Sequence, residues 1–418
     1  MNEQQDIPVP KAQLQQIRQD MRQKVKKEKN RRQRMLSSTL LFVVLFSFVL
    51  SIRMSPTIAG YVSKIPGFEP IVRMIAYDKG IEAIMKNEYF EEIHSTASAN
   101  GLMVSVIGVI ADKSGMSIFY EVDAPFDIAK VKTKEVNLLQ DGKEILASKT
   151  YGWFENEPTQ HVEGVIEISN KAGMSYKSKE FELIFQFDDE KQTKIQLPFT
   201  LKNNIQPEKV IAYNKEIDIN GQKFTIENVR TSPLRIALDI AIDRSNTMQL
   251  LKLEDLNLID ENGDVWGTIQ NGFSASGHIR DGRFTVYMQS NYFEQPKQLT
   301  LAIGSVYAVP KGQDFIEVDF TKQKVVSKPD YYDWPIDVNG KEVSIQGETL
   351  DPYRGGLLYK ASSHGEINYP SSETFRYGEE HFESTYTYEE AEGLTKIDIN
   401  FYSNIIGENI EIPIPLNE

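Results

Sequence analysis

Residues 100–122 read NGLMVSVIGVIADKSGMSIFYEV: two runs dense in Val, Ile, Phe and Tyr, parted by a short polar connection and opened by Asn-Gly. β-branched and aromatic residues suit a pleated, half-buried surface, and Asn-Gly supplies the positive φ that a two-residue hairpin turn needs. From Ser95 onward the chain keeps to this pattern, with short alternating runs punctuated by Asn-Gly, Asp-Gly and Pro. It therefore predicts β-strands.

The pattern recurs. Asn100-Gly101, Asn220-Gly221 and Asn339-Gly340 are followed at matching offsets by Val104 and Val106, Phe224 and Ile226, and Val343 and Ile345. A second strand is expected after each, at Met116–Val122, Leu234–Ile242 and Gly356–Ala361, and an alternating strand closes each copy at Ile195-Leu197-Phe199, Ile316-Val318-Phe320 and Ile410-Ile412-Ile414. Agreement at both ends argues for three repeated units. Units of this size suit tandem antiparallel β-sandwiches of immunoglobulin type, without the Cys and Trp hallmark. The stretches NNIQPE (203–208) and VSKPDYYDWP (326–335) break the alternation and read as linkers. The expected domains are 95–204, 205–328 and 329–418. Tyr331, Tyr332 and Trp334 in the second linker suit packing at a junction better than stacking on a sugar.

Charge divides the chain differently. Residues 1–35 carry ten Lys/Arg against four Asp/Glu, which leaves about −20 of the net −14 on the remainder. So acidic a remainder argues against a nucleic-acid partner, because phosphate binding needs clustered cations. With no cysteine there are no disulfides and no thiolate sites, which mildly favours a Gram-positive surface protein.

Between these parts lies Met35–Ile52 (MLSSTLLFVVLFSFVLSI), eighteen residues with no charge, Gly or Pro. As a helix it spans roughly 27 Å, close to the hydrocarbon thickness of a bilayer. A single transmembrane helix is expected over 35–53. Eight Lys/Arg crowd the fifteen residues before it and only Arg53 and Lys64 follow within the next fifteen, which places the N-terminus in the cytoplasm and the bulk of the chain outside. Residues 54–94 read as a helical juxtamembrane segment, with Pro70 in a first turn, a stripe of Ile71, Met74, Ile75, Ile81, Ile84 and Met85, and an interruption at Gly80.

The basic tail, 1–34, holds a short amphipathic pattern in Leu14, Ile17, Met21 and Val25, preceded by Ile7 and Val9 between prolines. Those six residues are expected to form a docking peptide that orders only against a partner protein or the lipid surface. Lys24, Lys26, Lys27, Lys29, Arg31, Arg32 and Arg34 set topology and meet anionic lipid. Chemistry is sparse elsewhere: the five histidines lack metal-ligand spacing, so no metal, cofactor or enzymatic activity is expected. GFSASG (272–277) reads as a loop and LIDENGD (258–264) as a hairpin turn. Glu379-Glu380 and Glu389-Glu390 read as solvated surface.

Three stretches, IPVPKAQLQQI (7–17), SKIPGFEPIVRMIAYDKGIEAI (63–84) and NGLMVSVIGVIADKSGMSIFYEV (100–122), resemble a bacterial family. Its members are single-pass membrane proteins with an N-terminal domain of unknown function and an immunoglobulin-like domain, often encoded beside extracytoplasmic-function sigma factors. The resemblance covers roughly residues 7–330 and implies regulation: an anti-sigma-factor-like protein whose extracellular modules sense the envelope and whose tail binds a sigma factor. The tail lacks the His/Cys/Cys zinc motif of zinc-containing anti-sigma domains. The alternative is an envelope-associated adhesive or scaffolding protein that binds wall polymer or a protein partner through its sandwiches.

Overall fold

In the computed structural model, the described residues are 78–153, 157–269, 274–348, 356–378 and 381–416. The docking peptide, the basic cluster and the apolar run Met35–Ile52 lie outside them, and among the described residues no helix is long and apolar enough to cross a membrane. Description begins at helix α1 (Lys79–Lys86), capped by Asp78, whose carboxylate accepts the N–H groups of Gly80 and Ile81. The cap sits two residues before Gly80, so the glycine lies inside the first turn and does not interrupt the helix. Eight residues are too few to hold a helix alone. Burial of Ile81, Ala83, Ile84 and Met85 against the β-structure supplies the remainder.

Module 1 follows with nine strands: β1 (Glu91–Ala99), β2 (Leu102–Asp112), β3 (Gly115–Asp123), β4 (Thr133–Gln140), β5 (Lys143–Glu144), β6 (Ser148–Thr150), β7 (His161–Ser169), β8 (Glu180–Phe187) and β9 (Lys194–Thr200). They form two antiparallel sheets, β1-β2-β3-β7-β6 and β5-β4-β8-β9. The sheets close on one core, with Ile118, Tyr120, Val122, Val162 and Ile166 from one meeting Val136, Leu183, Phe185, Ile195 and Leu197 from the other. Each such side chain contributes on the order of 2 kcal/mol by leaving water. Strand β1 begins at Glu91, so the module starts ahead of the boundary expected at 95.

Module 2 repeats the plan with β10 (Lys209–Ile219), β11 (Gln222–Thr231), β12 (Ile236–Ile242), β13 (Met248–Glu254), β14 (Asn257–Asp260), β15 (Val265–Gly267), β16 (Ala275–His278), β17 (Arg283–Met288) and β18 (Leu299–Pro310). One sheet is β10-β11-β12-β17-β16, the counterpart of β1-β2-β3-β7-β6. In the other, β13 and β14 flank successive halves of β18, and β15 extends β14. The remaining edge of β18 is filled from far away.

Module 3 comprises β19 (Phe315–Asp319), β20 (Lys324–Ser327), β21 (Ile336–Asn339), β22 (Glu342–Glu348), β23 (Leu358–Ser363), β24 (Glu366–Asn368), β25 (Ser372–Tyr377), β26 (His381–Thr387) and β27 (Leu394–Ile399); β28 (Ile405–Ile414) comes after it. Its sheets are β20-β19-β27-β23-β24 and β21-β22-β26-β25. Strand β28 leaves the module and pairs with β18, from Leu299↔Ile414 to Tyr307↔Ile405. Module 3 is thus an insertion between two strands of module 2.

Three expectations change accordingly. The Ile316-Val318-Phe320 strand opens module 3 beside β27, and Ile410-Ile412-Ile414 closes module 2 and not module 3. The seam read at 328/329 falls after β19 and β20, both already part of module 3. The strand read at 356–361 does form, as β23, and pairs with β27 in the sheet opposite β22. Alternation fixes which residues of a strand face inward; it is blind to which strand lies alongside.

The turns also differ. Asn100 and Gly101 both have positive φ, as do Asn220 and Gly221, and each pair forms the two-residue turn of a hairpin. In the third copy Asn339 pairs with Glu342, so the turn is Gly340-Lys341. LIDENGD does turn a hairpin, with Asp260 accepting the N–H groups of Asn262 and Asp264. GFSASG departs from the loop reading at its end, where Ala275–His278 is an edge strand on β17.

Candidate functional site

Helix α1 lies in the seam between modules 1 and 2. A Cβ on Gly80 would stand 2.8 Å from the Ser290 backbone nitrogen, so glycine is what lets the helix lie against module 2. Lys79 donates its backbone N–H to Gln289 Oε1 and pairs through Nζ with Asp264 at 2.7 Å. Toward module 1, the Tyr89 hydroxyl donates to the Ala111 carbonyl and accepts from the Gln206 N–H in the linker. Glu91 accepts the N–H groups of Lys202 and Asn203. One short segment is thereby tied to both modules and to the chain between them.

The seam itself is ionic. Fully buried Asp112 accepts from Ser114 and Gly115 at its own hairpin turn and, through Oδ2, from the Leu234 N–H of module 2 at 2.7 Å. Arg235 is also buried, donates to Ser169 Oγ, sits 3.7 Å from Glu167 and lies over the Tyr287 ring. Burial pushes the Asp78 carboxyl up to about 6 despite the N–H groups it accepts and nearby Arg235. Burial likewise raises Glu167 against the pull of Arg235. Asp78 and Glu167 thus share one guanidinium where water screens poorly.

A different ionic group anchors module 3 to module 2. Arg280, just after β16, donates to Asp314 Oδ2 at 2.5 Å and to the Ile399 carbonyl at 2.7 Å, and its Nε lies 3.4 Å from Asp398. His278 stacks on Tyr359 with ring centres 3.8 Å apart, and burial lowers its pKa. The core of module 3 continues into Leu251, Tyr307 and Val309 of module 2. Tyr332 and Trp334 belong to that core and Tyr331 packs against it, which is the packing role the linker suggested; the Tyr331 hydroxyl also donates to the Gln313 carbonyl. Beside them a cleft of about 1070 Å³ is lined by Trp334, Phe382, Tyr402, Arg376, Glu383 and Asp333, among others.

On module 1, the outward faces of β3 and β7 gather four groups that sequence spacing did not bring together. The register places Glu121 opposite Glu163 and Asp123 opposite His161. His161 Nδ1 is 2.8 Å from Asp123 Oδ1, and its Nε2 is 3.4 Å from Glu163 Oε1. Burial of the ring works against protonation, but hydrogen bonds to Asp123 and Glu163 outweigh it and raise the His161 pKa. Glu121 is raised by burial and by its acidic neighbours, against the opposing effect of His161. The two-residue spacings 121/123 and 161/163 were legible as same-face pairs. Their meeting across some forty residues was not.

Residues 208–353 match the model of a family of unknown function, DUF5643, and residues 28–124 that of a domain of unknown function, DUF4179. The first match spans module 2 to β18, continues to β22 and stops before β28; the second runs from the tail through the apolar segment to the end of β3. No curated protein matches the chain. A solved structure, the crystal structure of the conserved domain protein from Bacillus anthracis, is 18% identical over 57% of this chain and 84% of its own, with a TM-score of 0.37, a likeness too slight to bear on function. The two matched stretches fit an architecture built from domains of unknown function.

Proposed function

We propose that the chain is a single-pass membrane regulator of anti-sigma-factor type. In this reading residues 1–34 lie in the cytoplasm, 35–53 cross the membrane, and the three sandwiches, immunoglobulin-like in character, stand outside and respond to the envelope. The docking peptide, Ile7, Val9, Leu14, Ile17, Met21 and Val25, grips the sigma factor, while the basic cluster from Lys24 to Arg34 meets lipid. The observation that supports it is the placement of α1. The C-terminal end of the expected juxtamembrane segment 54–94, at Lys79 and Tyr89, is fastened to both modules 1 and 2, so a change at their seam bears on the connection to the N-terminal part. A binary response of this kind needs a packed element with two arrangements.

The test is transcription driven by a sigma factor encoded beside the gene. Leu14→Asp with Ile17→Asp should release that transcription while the variant stays at normal abundance in the membrane. Unchanged transcription would favour the second reading, an envelope-associated scaffold or adhesin without enzymatic activity. The aromatic-lined cleft beside Trp334, Phe382 and Tyr402 supports that alternative. Topology is checked by a cytoplasm-dependent reporter, active before Met1 and silent after Glu418.

A further inference from the structure

The four outward side chains of β3 and β7 have the arrangement of a metal site, one that the comparisons leave unassigned. His161, Glu163 and Glu121 each offer a ligand atom, and the three atoms lie within 4.8 Å of one another. The decisive distance is the 3.4 Å between His161 Nε2 and Glu163 Oε1. Charge-assisted hydrogen bonds contract to roughly 2.7–2.9 Å, so this contact is slack as a hydrogen bond. Two ligands held about 2.0–2.1 Å from a tetrahedral ion stand about 3.3–3.4 Å apart, which the observed separation meets.

The remaining contacts agree. Asp123 sits 2.8 Å from His161 Nδ1, the carboxylate–histidine pairing that fixes the ring tautomer and turns Nε2 toward a metal. Glu163 keeps only 11% of its side chain exposed, and its second oxygen, Oε2, is buried with no hydrogen-bond partner. A carboxylate oxygen so placed has lost water and gained nothing in exchange. A bound cation would supply the missing partner and offset the mutual repulsion of Glu121, Asp123 and Glu163. Strands β3 and β7 run in unbroken register from Gly115↔Ser169 to Asp123↔His161, so the ligands are carried on a regular ladder. The side facing solvent, where His161 is 47% exposed, leaves an open fourth position.

We propose that His161, Glu163 and Glu121 bind a divalent transition-metal ion, zinc by preference, with Asp123 orienting His161. One imidazole and two carboxylates suit zinc better than calcium, which takes six to eight oxygen ligands. The full-length purified chain, stripped with chelator and dialysed against micromolar zinc chloride, should retain one zinc per chain and unfold at a higher temperature than the stripped protein. His161→Ala and Glu163→Gln should each lose the bound zinc and the thermal shift. Asp123→Asn should weaken binding about 10–100-fold without abolishing it. Comparison of all proteins in chelator, where wild type and Glu163→Gln should unfold alike, separates lost binding from lost folding. Wild type that retains no zinc, or variants that retain as much as wild type, would overturn the site and leave His161 as an imidazolium held between acids.

Discussion

Modules 1 and 2 share a strand order yet close in opposite ways. Module 1 takes its final strand, β9, from the chain directly after β8, across the short turn 188–193. Module 2 waits for β28, which arrives only after module 3 has been traversed. The same two-sheet core is local in one case and non-local in the other, so the second is more exposed to loop-closure entropy and to events elsewhere in the chain. Module 3, in turn, uses β19 beside β27 where module 1 uses β9 beside β8. Exchange of the closing strands is what fuses the second and third modules.

The hardest test of that contrast is to end the chain after Phe401. Module 2 then loses Ile412 and Ile414, each only 3% exposed. At about 2–5 kcal/mol for each large side chain removed from a core, their loss approaches the whole stability of a small domain. Hydrogen exchange should show protection vanishing from 209–310 while 91–200 keeps it. Equal protection in both modules would mean that β28 is dispensable.

A finer test sets the two seams against each other. Arg280→Ala strands Asp314 and Asp398, whose side chains are 13% and 15% exposed, and should cost about 3–5 kcal/mol in denaturant unfolding. Arg235→Ala should cost less, because Glu167 and Asp78 already hold their protons more tightly than free carboxyls and can neutralise. The sign follows from linkage. A carboxyl whose pKa is higher in the folded chain stabilises the fold as pH falls and burdens it as pH rises. The Arg235→Ala deficit should therefore be largest at alkaline pH and shrink as pH falls toward about 6, the value Asp78 has with Arg235 beside it. A deficit independent of pH would show that these acids do not take up protons when the cation is removed.

The smallest effect concerns the turns. Gly221 has φ +79° with open space around its missing side chain, so Gly221→Val meets no steric neighbour and only the backbone resists. A β-branched residue there should cost about 1–2 kcal/mol in thermal unfolding. No loss would mean that the β10–β11 turn had changed type.

Sequence legibility followed a similar division. The Asn-Gly turns at 100–101 and 220–221, the inward residues Val104, Phe224 and Val343, and the core roles of Tyr332 and Trp334 could be read, because hydrophobic period and turn chemistry are local properties. The destination of Ile410-Ile412-Ile414 could not, since an alternating strand carries no mark of its neighbour. For the same reason His161 looked isolated: its partners Glu121 and Asp123 are set beside it only by the pairing of β3 with β7. The tail residues from Ile7 to Val25 lie outside the described residues, so their docking role stays with the transcription test.

The returning strand also has a meaning in time. Some ninety-five residues separate the end of β18 from the start of β28, and at 5–20 residues per second a growing chain needs roughly 5 to 20 s to deliver them. Throughout that interval the outer edge of β18 presents unpaired N–H and C=O groups to whatever strand passes, including one from a neighbouring copy still being made. Once β28 lands, the edge it offers in place of β18 carries Glu408, Glu411 and Pro413, residues that discourage any further strand from adding. During its birth module 2 is an acceptor for strands, and the arrival of β28 ends that competence.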